Sequence, residues 1–129
     1  MKPIKFQRNN EDSLIVIKAK LDNERLSLAL DTGASHTVID LSMMVIAGYE
    51  IKDAIQTVEL ETAKGIAEAY IFKVKEITAL AQTVKDIEIC SYDFFNHNIF
   101  TEIHGVVGLD FFKNKDLLIS FKRFEITLS

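Results

Sequence analysis

Short apolar runs with a period of two dominate the hydrophobic pattern of this chain. Residues 14–20 and 26–30 are two such runs, and the turn-forming residues 22–24 between them predict a β-hairpin. Two longer β-prone runs follow, at 55–62 and 66–77. Because the short segment that joins them contains a glycine, they predict a second hairpin.

Shorter elements complete the pattern. The remaining predicted strands share a short apolar centre and are 37–39, 82–90, 106–107, 117–121 and 124–128, of which the last two form a closing hairpin. We expect one short helix over 41–47, capped by Asp40 or Ser42 and ended by Gly48, and a second over 109–114. The pattern therefore predicts an all-β chain with two short helices.

Length and composition favour one globular domain. The chain has 129 residues, of which 48% are hydrophobic and 26% are charged, and this is too short for two typical domains. We therefore expect a single domain over 1–129, in which residues 1–12 form an N-terminal segment that is flexible or contributes to an interface.

Charge and cysteine content exclude several classes of protein. A formal net charge of -4 without a long basic run argues against a nucleic-acid partner. A single cysteine, Cys90, rules out an intrachain disulfide and fits a reducing compartment. No stretch has the apolar length of a signal peptide or a membrane span, so we expect a cytoplasmic protein without a membrane partner.

One acidic residue interrupts the apolar pattern at the end of a predicted strand. Asp31 directly follows the apolar residues 28–30, and Thr32-Gly33 come next. Gly33 permits a tight turn, and the Thr32 hydroxyl can hydrogen-bond a neighbouring backbone group. Asp31 would then be held rigidly, as general acid/base chemistry requires. Taken alone, the tripeptide also matches an ordinary turn, because Asp and Gly are common turn formers.

The residues around this turn resemble those of retroviral-type (retropepsin-like) aspartic proteases. The apolar run, Asp31-Thr32-Gly33-Ala34-Ser35 and the strand at 37–39 are similar to that family's active-site loop and following strand. Residues 105–112, with the sequence GVVGLDFF, resemble its second signature, and residues 62–66 lie where the family has its flap hairpin. The resemblance covers nearly the whole chain, and it implies the closed β-barrel that forms half of an acid-protease fold.

The resemblance also implies roles for individual residues, with no metal and no cofactor. Asp31 would be the catalytic residue. The residues that would support the active-site loop are Thr32, Gly33, Ala34, Val106, Val107 and Gly108. The residues that would contact substrate or form the flap are Ser35, His36, Thr62, Ala63, Lys64, Gly65 and Ile66.

The presence of one Asp-Thr-Gly sequence implies a second chain. Peptide hydrolysis by this chemistry uses two carboxyl groups that face each other across a water molecule and share a proton. An acid from a different motif could supply the second carboxyl, but the economical arrangement is a homodimer in which each chain contributes Asp31, and the resemblance implies the same. The expected function is that of an aspartic endopeptidase acting on peptides or proteins. The alternative is a non-catalytic dimeric module on the same fold that binds peptides or acts as a scaffold.

The chain departs from retroviral members at two positions. Ser35 and Leu109 stand where those members often have an acid and an arginine that pair with each other. Both halves of the ion pair are therefore absent, and the pattern is closer to cellular and bacterial-type members. The substrate preference of the retroviral enzymes does not carry over to this chain.

Two further groups of residues are candidates for other roles. Cys90, His97 and His104 are spaced seven residues apart, which is wider than in typical zinc sites, and a fourth ligand is not evident; we expect no metal there. Cys90 is expected to be a buried small hydrophobe. Residues 91–102 predict a loop whose aromatic side chains pack on the core, line the substrate groove or contact a second chain.

Overall fold

The computed structural model describes residues 2–6, 14–63, 65–93 and 103–129. Within them the strands are, in chain order, β1 (Ile4–Lys5), β2 (Val16–Leu21), β3 (Glu24–Leu30), β4 (Val38–Asp40), β5 (Gln56–Thr62), β6 (Gly65–Ala79), β7 (Gln82–Tyr92), β8 (Gly105–Val107), β9 (Leu117–Ser120) and β10 (Glu125–Leu128). The described helices are α1 (Leu41–Ile46) and two 3-10 helices, Ile51–Asp53 and Leu109–Phe112.

Six strands close into a barrel. They pair in the order β2-β3-β8-β4-β7-β6, and β2 pairs again with β6 from Ala19↔Ala79 to Leu21↔Ile77. Closure leaves these strands without a long free edge, which protects them from pairing with other chains. β5 extends outside the barrel as the second arm of a hairpin with β6, and β1, β10 and β9 form a separate antiparallel sheet.

The core follows from the period-two pattern that the sequence predicted. On β2, buried Ile17, Ala19 and Leu21 alternate with exposed lysines. Among the described residues, Phe72 of β6 and Phe111 of the second 3-10 helix are the bulkiest fully buried side chains. They fill the space inside the barrel, where burial of apolar surface stabilises the fold.

Helix α1 closes one side of this core. The Asp40 side chain accepts a hydrogen bond from the Ser42 amide at 3.1 Å, so Asp40 is the cap. Met43 and Met44 are buried against the core, as their place on the helix predicted. Gly48 follows the helix at φ 99°, a left-handed conformation that glycine adopts readily.

The predicted hairpins are confirmed, with ends shifted by one or two residues. The second predicted helix is a 3-10 turn over Leu109–Phe112. The 3-10 helix Ile51–Asp53 was not predicted. Ile4–Lys5, from the predicted N-terminal segment, pairs with β10 of the same chain.

One prediction about the aromatic loop at 91–102 is wrong. Ser91 and Tyr92 belong to strand β7, where they pair with Ile39 and Asp40 of β4. Their polarity suggested a loop, but a strand between two neighbours can carry polar residues when its backbone is paired on both sides. Residues 94–102 lie outside the described part of the chain.

In the ranges that the structure describes, no helix has the length and apolar character needed to cross a membrane.

Candidate active site

The candidate site forms where β3 and β8 end side by side. The two strands are parallel, with Ala29 opposite Val106 and Leu30 opposite Val107. The Asp31 amide then donates to the Val107 carbonyl at 3.0 Å. The apolar segment of the second signature therefore fixes the backbone at Leu30 and Asp31.

The Asp31 carboxylate is held by its own loop. Its Oδ1 accepts a hydrogen bond from the Gly33 amide at 2.9 Å, and the Ala34 amide donates to the Asp31 carbonyl at 3.2 Å. Asp31 is half-buried, and Thr32 and Gly33 are exposed. No cationic side chain in the described residues forms an ion pair with this carboxylate. Its local contacts fix its direction and leave it open on one side.

A second layer of hydrogen bonds lies behind the loop. The Leu109 amide donates to the Ala34 carbonyl at 2.8 Å, and the Gly108 amide donates to Thr37 Oγ1 at 3.2 Å. Thr37 in turn donates to Asp110, from its amide to Oδ2 at 2.9 Å and from its hydroxyl to Oδ1 at 2.7 Å. These bonds join the segment after Asp31 to the segment after β8.

Gly108 packs directly against the backbone of the loop. A Cβ placed at Gly108 would lie 2.5 Å from the His36 carbonyl oxygen and 2.8 Å from that of Ala34. Real Cβ atoms almost never approach other atoms so closely, so this position has room only for hydrogen. Close contact of the two backbones depends on glycine here.

Thr37 and Asp110 are the residues of this site that sequence reasoning missed. Thr37 was assigned only to a strand, and Asp110 only to the second signature. The signal for Asp110 was a lone charge inside the apolar run 106–112, the same kind of interruption that drew attention to Asp31. The sequence did not reveal that Thr37 is the hydrogen-bond partner of Asp110, because Thr37 lies far away along the chain.

We expect replacement of Asp110 by asparagine to destabilise the protein by about 2 kcal/mol, the cost of one unsatisfied buried polar group. Thr37 is fully buried and donates to both carboxylate oxygens. An asparagine in either orientation presents its NH₂ to one of those two donors. Thermal and urea unfolding measure the change. Asp116→Asn is the matched control, because Asp116 is exposed; equal stability losses in the two variants would contradict the assignment.

The other predicted site residues are distributed over the loop and the β5–β6 hairpin. Ser35 and His36 are exposed, and Ser35 Oγ lies 2.9 Å from His36 Nδ1. Thr62 and Gly65 are paired at the end of the hairpin, and Ile66 is 67% exposed. Ala63 is exposed at the turn, and Lys64 lies outside the described residues.

The underside of this hairpin packs near the loop. Val58 and Leu60 of β5 belong to a cluster with Cys90, Tyr92 and Val38. Val38 begins the strand that follows the Asp31 loop, and both Val38 and Ala34 pack against a neighbouring buried cluster that includes Val106. The hairpin and the loop are thus connected through one apolar side chain.

Of the three residues considered for a metal, the structure describes Cys90 and His104. Cys90 is buried, as predicted, and burial raises the pKa of its thiol, which disfavours the thiolate that metals bind. His104 Nδ1 accepts a hydrogen bond from the Ser27 amide at 3.0 Å. His97 lies outside the described residues. Among those described, no group of histidine, cysteine and acidic side chains is arranged to hold a metal ion.

Comparisons with known proteins agree with this architecture. Residues 17–114 match the family described as "gag-polyprotein putative aspartyl protease", a span that runs from β2 past the second 3-10 helix. No curated protein sequence matches the chain significantly.

Two solved structures are similar to this chain in fold. A retropepsin-like aspartic protease from Rickettsia conorii gives a TM-score of 0.72 at 18% identity, covering 100% of this chain and 99% of that one. The EIAV protease in complex with the inhibitor HBY-793 gives 0.59 at 15% identity, covering 84% and 93% respectively. The expected all-β, retropepsin-like barrel is confirmed.

Proposed function

Because the chain belongs to the gag-polyprotein aspartyl protease family, we propose that it is an aspartic endopeptidase whose active site is made by two copies of Asp31. One observation carries this proposal. Asp31 directly follows β3, with its carboxylate held by Gly33 and its amide held by β8, on a fold shared with aspartic proteases. A rigid carboxylate on a strand end is what acid/base catalysis needs.

The chemistry uses the two Asp31 carboxyls as a pair. Like charges in contact cannot both ionise cheaply, so one carboxyl keeps its proton, as in other aspartic proteases. The ionised carboxyl takes a proton from the water, and the water oxygen forms a bond to the peptide carbonyl carbon. The protonated carboxyl donates to the carbonyl oxygen. The first carboxyl then gives its proton to the amide nitrogen as the C–N bond breaks and the amine leaves. A hydroxyl of the diol returns a proton to the second carboxyl as the carboxylic acid product forms, so the pair again shares one proton.

Each chain supplies one carboxyl across a two-fold axis in this proposal. The exposed faces of Thr32 and Gly33 support it, since they leave the loop free to meet its copy. Thr32 would hydrogen-bond the partner loop, and the Gly33 carbonyl would contact the substrate backbone. In such an isologous interface both loops make the same contacts.

The loop that carries Asp31 would be supported from behind by four residues: Ala34, Val106, Val107 and Gly108. Catalytic carboxyls must stay within a narrow range of distances and angles, so the backbone behind them must not move. The short hydrogen bonds from Asp31 to Val107 and from Leu109 to Ala34 support this role. So does the close packing of Gly108 on the loop.

The β5–β6 hairpin would act as the flap. Residues 62–66, including Lys64, would close over an extended peptide and exclude water from the reacting carbonyl. Ser35 and His36 would contact substrate side chains at the edge of the groove. Their exposure next to Asp31 supports this placement.

Cleavage of a mixed peptide library tests the proposed function. We expect specific cuts within peptides that a statine-type inhibitor blocks, together with a dimer in sedimentation equilibrium. The control is the same assay with an inhibitor of serine proteases, which should have no effect. A dimer that binds library peptides but cuts none of them would instead identify a non-catalytic peptide-binding module.

A further inference from the structure

A cavity lies beside the β2–β3 hairpin and the end of β6, away from the candidate active site. Its volume is about 620 Å³, and residues 31–36 do not line it. Ser27 of β3 lines the cavity, and it precedes Asp31 by four positions in the sequence. At the rise of an extended strand this corresponds to about 13 Å. The cavity is therefore a separate feature of the molecule.

Three cationic side chains line this cavity, and no acidic side chain of the described residues does. Lys18, Lys20 and Arg25 are all exposed. Lys20 and Arg25 stand directly opposite each other across β2 and β3, an arrangement in which like charges destabilise a strand pair. This concentration of positive charge occurs in a chain whose net charge is -4. An anion between the two side chains would relieve their repulsion.

These cations have no carboxylate partner in the described part of the chain. Ion pairs formed elsewhere in that part use three other cations, each with a glutamate. The nearest acid along the adjoining strand is Glu76, two positions before Thr78, which pairs with Lys20. Glu76 does not line the cavity and forms no ion pair with any described cation. Among the described residues, no carboxylate therefore compensates the positive charge at the cavity.

Ser27 and His104 add neutral hydrogen-bond donors. Because His104 Nδ1 accepts from the Ser27 amide, a neutral ring carries its proton on Nε2. Lys18 Nζ donates to Ser27 Oγ at 3.2 Å, which places this ammonium close to the His104 side of the cavity. The polar groups that line the cavity can thus all donate to an anionic oxygen.

Apart from Thr78, the rest of the lining is apolar. Ala19, Leu26, Ala79 and Leu80 are buried and line the same space. Cavities of roughly 300–1,000 Å³ with an apolar lining and a few placed polar groups are typical of sites for small organic molecules. An inorganic ion would leave this apolar surface unused.

We propose that this cavity binds a small organic anion, in which a carboxylate or phosphate group is attached to a compact apolar body. The anionic group lies between Lys20 and Arg25, within reach of Lys18. The apolar body lies against Leu80 and Ala81, between β6 and β7. The site is independent of the proposed protease chemistry, because it shares no residue with it.

Titration of the ¹⁵N-labelled full chain with octanoate and with octyl phosphate tests the proposal. We expect saturable shifts of the amide signals of Lys20, Arg25, Ser27 and Leu80 with at least one of them, and the tighter binder identifies the anionic group. Octanol has the body without the charge, and acetate has the charge without the body. Each should bind at least tenfold more weakly. Absence of saturation with both anions, or equal binding of acetate, would overturn the proposal.

A pair of double variants separates a local site from general charge attraction. We expect Lys20→Gln/Arg25→Gln to weaken binding at least tenfold, and not to lower the melting temperature, since it removes a repulsive pair. Lys73→Gln/Lys122→Gln removes the same charge at exposed positions outside the cavity and should bind as the wild type does. Equal loss in both double variants would refute a local site. Because the readout is binding, failure of the protease proposal would leave this test unaffected.

Discussion

Replacing Asp31 by asparagine is expected to lower kcat/KM for peptide cleavage by about 10³-fold or more, while the protein folds and dimerises as before. An amide can neither take the proton of the attacking water nor hold the proton that the pair shares, and a positioned acid/base group contributes roughly 10² to 10⁴ in rate. In a homodimer the substitution removes both groups at once. The asparagine side-chain oxygen can still accept from the Gly33 amide, so the loop contact at 2.9 Å is retained.

The control for this variant is Asp86→Asn. Asp86 is exposed and has φ 55°, a conformation that asparagine tolerates well. It should cleave peptides at the wild-type rate. Circular dichroism and sedimentation equilibrium on both variants report folding and assembly. Full activity of the Asp31 variant would eliminate the proposed mechanism.

Replacing Gly108 by alanine is expected to destabilise the fold by about 3 kcal/mol, at the upper end of the cost of overpacking. The added Cβ meets the carbonyl oxygens of His36 and Ala34 at 2.5 and 2.8 Å. These are backbone atoms, which cannot rotate away as a flexible side chain could. Relief requires the Asp31 loop to move away from β8, so we also expect the cleavage rate to fall. Urea unfolding and steady-state kinetics measure the two effects.

Gly48→Ala is the informative comparison for this variant. Gly48 has φ 99°, but a Cβ there would meet nothing within 4 Å. Gly108 has φ -102°, which any residue can adopt, so glycine is needed there only because a larger residue has no space. Gly48→Ala should therefore cost only about 1 kcal/mol of conformational strain and leave the cleavage rate unchanged. If the Gly108 variant loses no more stability than the Gly48 variant, the close packing behind the loop is not important.

The fold class and the position of Asp31 could be predicted from local patterns. Alternation of apolar and polar residues has a range of a few positions, and it predicted the hairpins, including the one formed by β5 and β6. An acid that interrupts an apolar strand, followed by Thr32-Gly33, is equally local. Resemblance of 105–112 to a second signature suggested that these two regions belong to one site.

The contacts between distant segments could not be predicted in this way. The bonds from Thr37 to Asp110 join positions 73 residues apart, and neither residue signals the other. The assignment of Ser91 and Tyr92 to β7 depends on β4 lying beside them. Three cations meet at one cavity because Lys20 is opposite Arg25 and next to Thr78.

By itself, then, the sequence determined an all-β chain with hairpins and a carboxylate at the end of a strand, since strand period and turn chemistry act between near neighbours. The tertiary structure alone decided that β2 closes on β6 and that β8 lies between β3 and β4. It also decided that Gly108 rests on the loop of Asp31. These outcomes depend on strand order and register, which are set by how all the strands bury their apolar faces together.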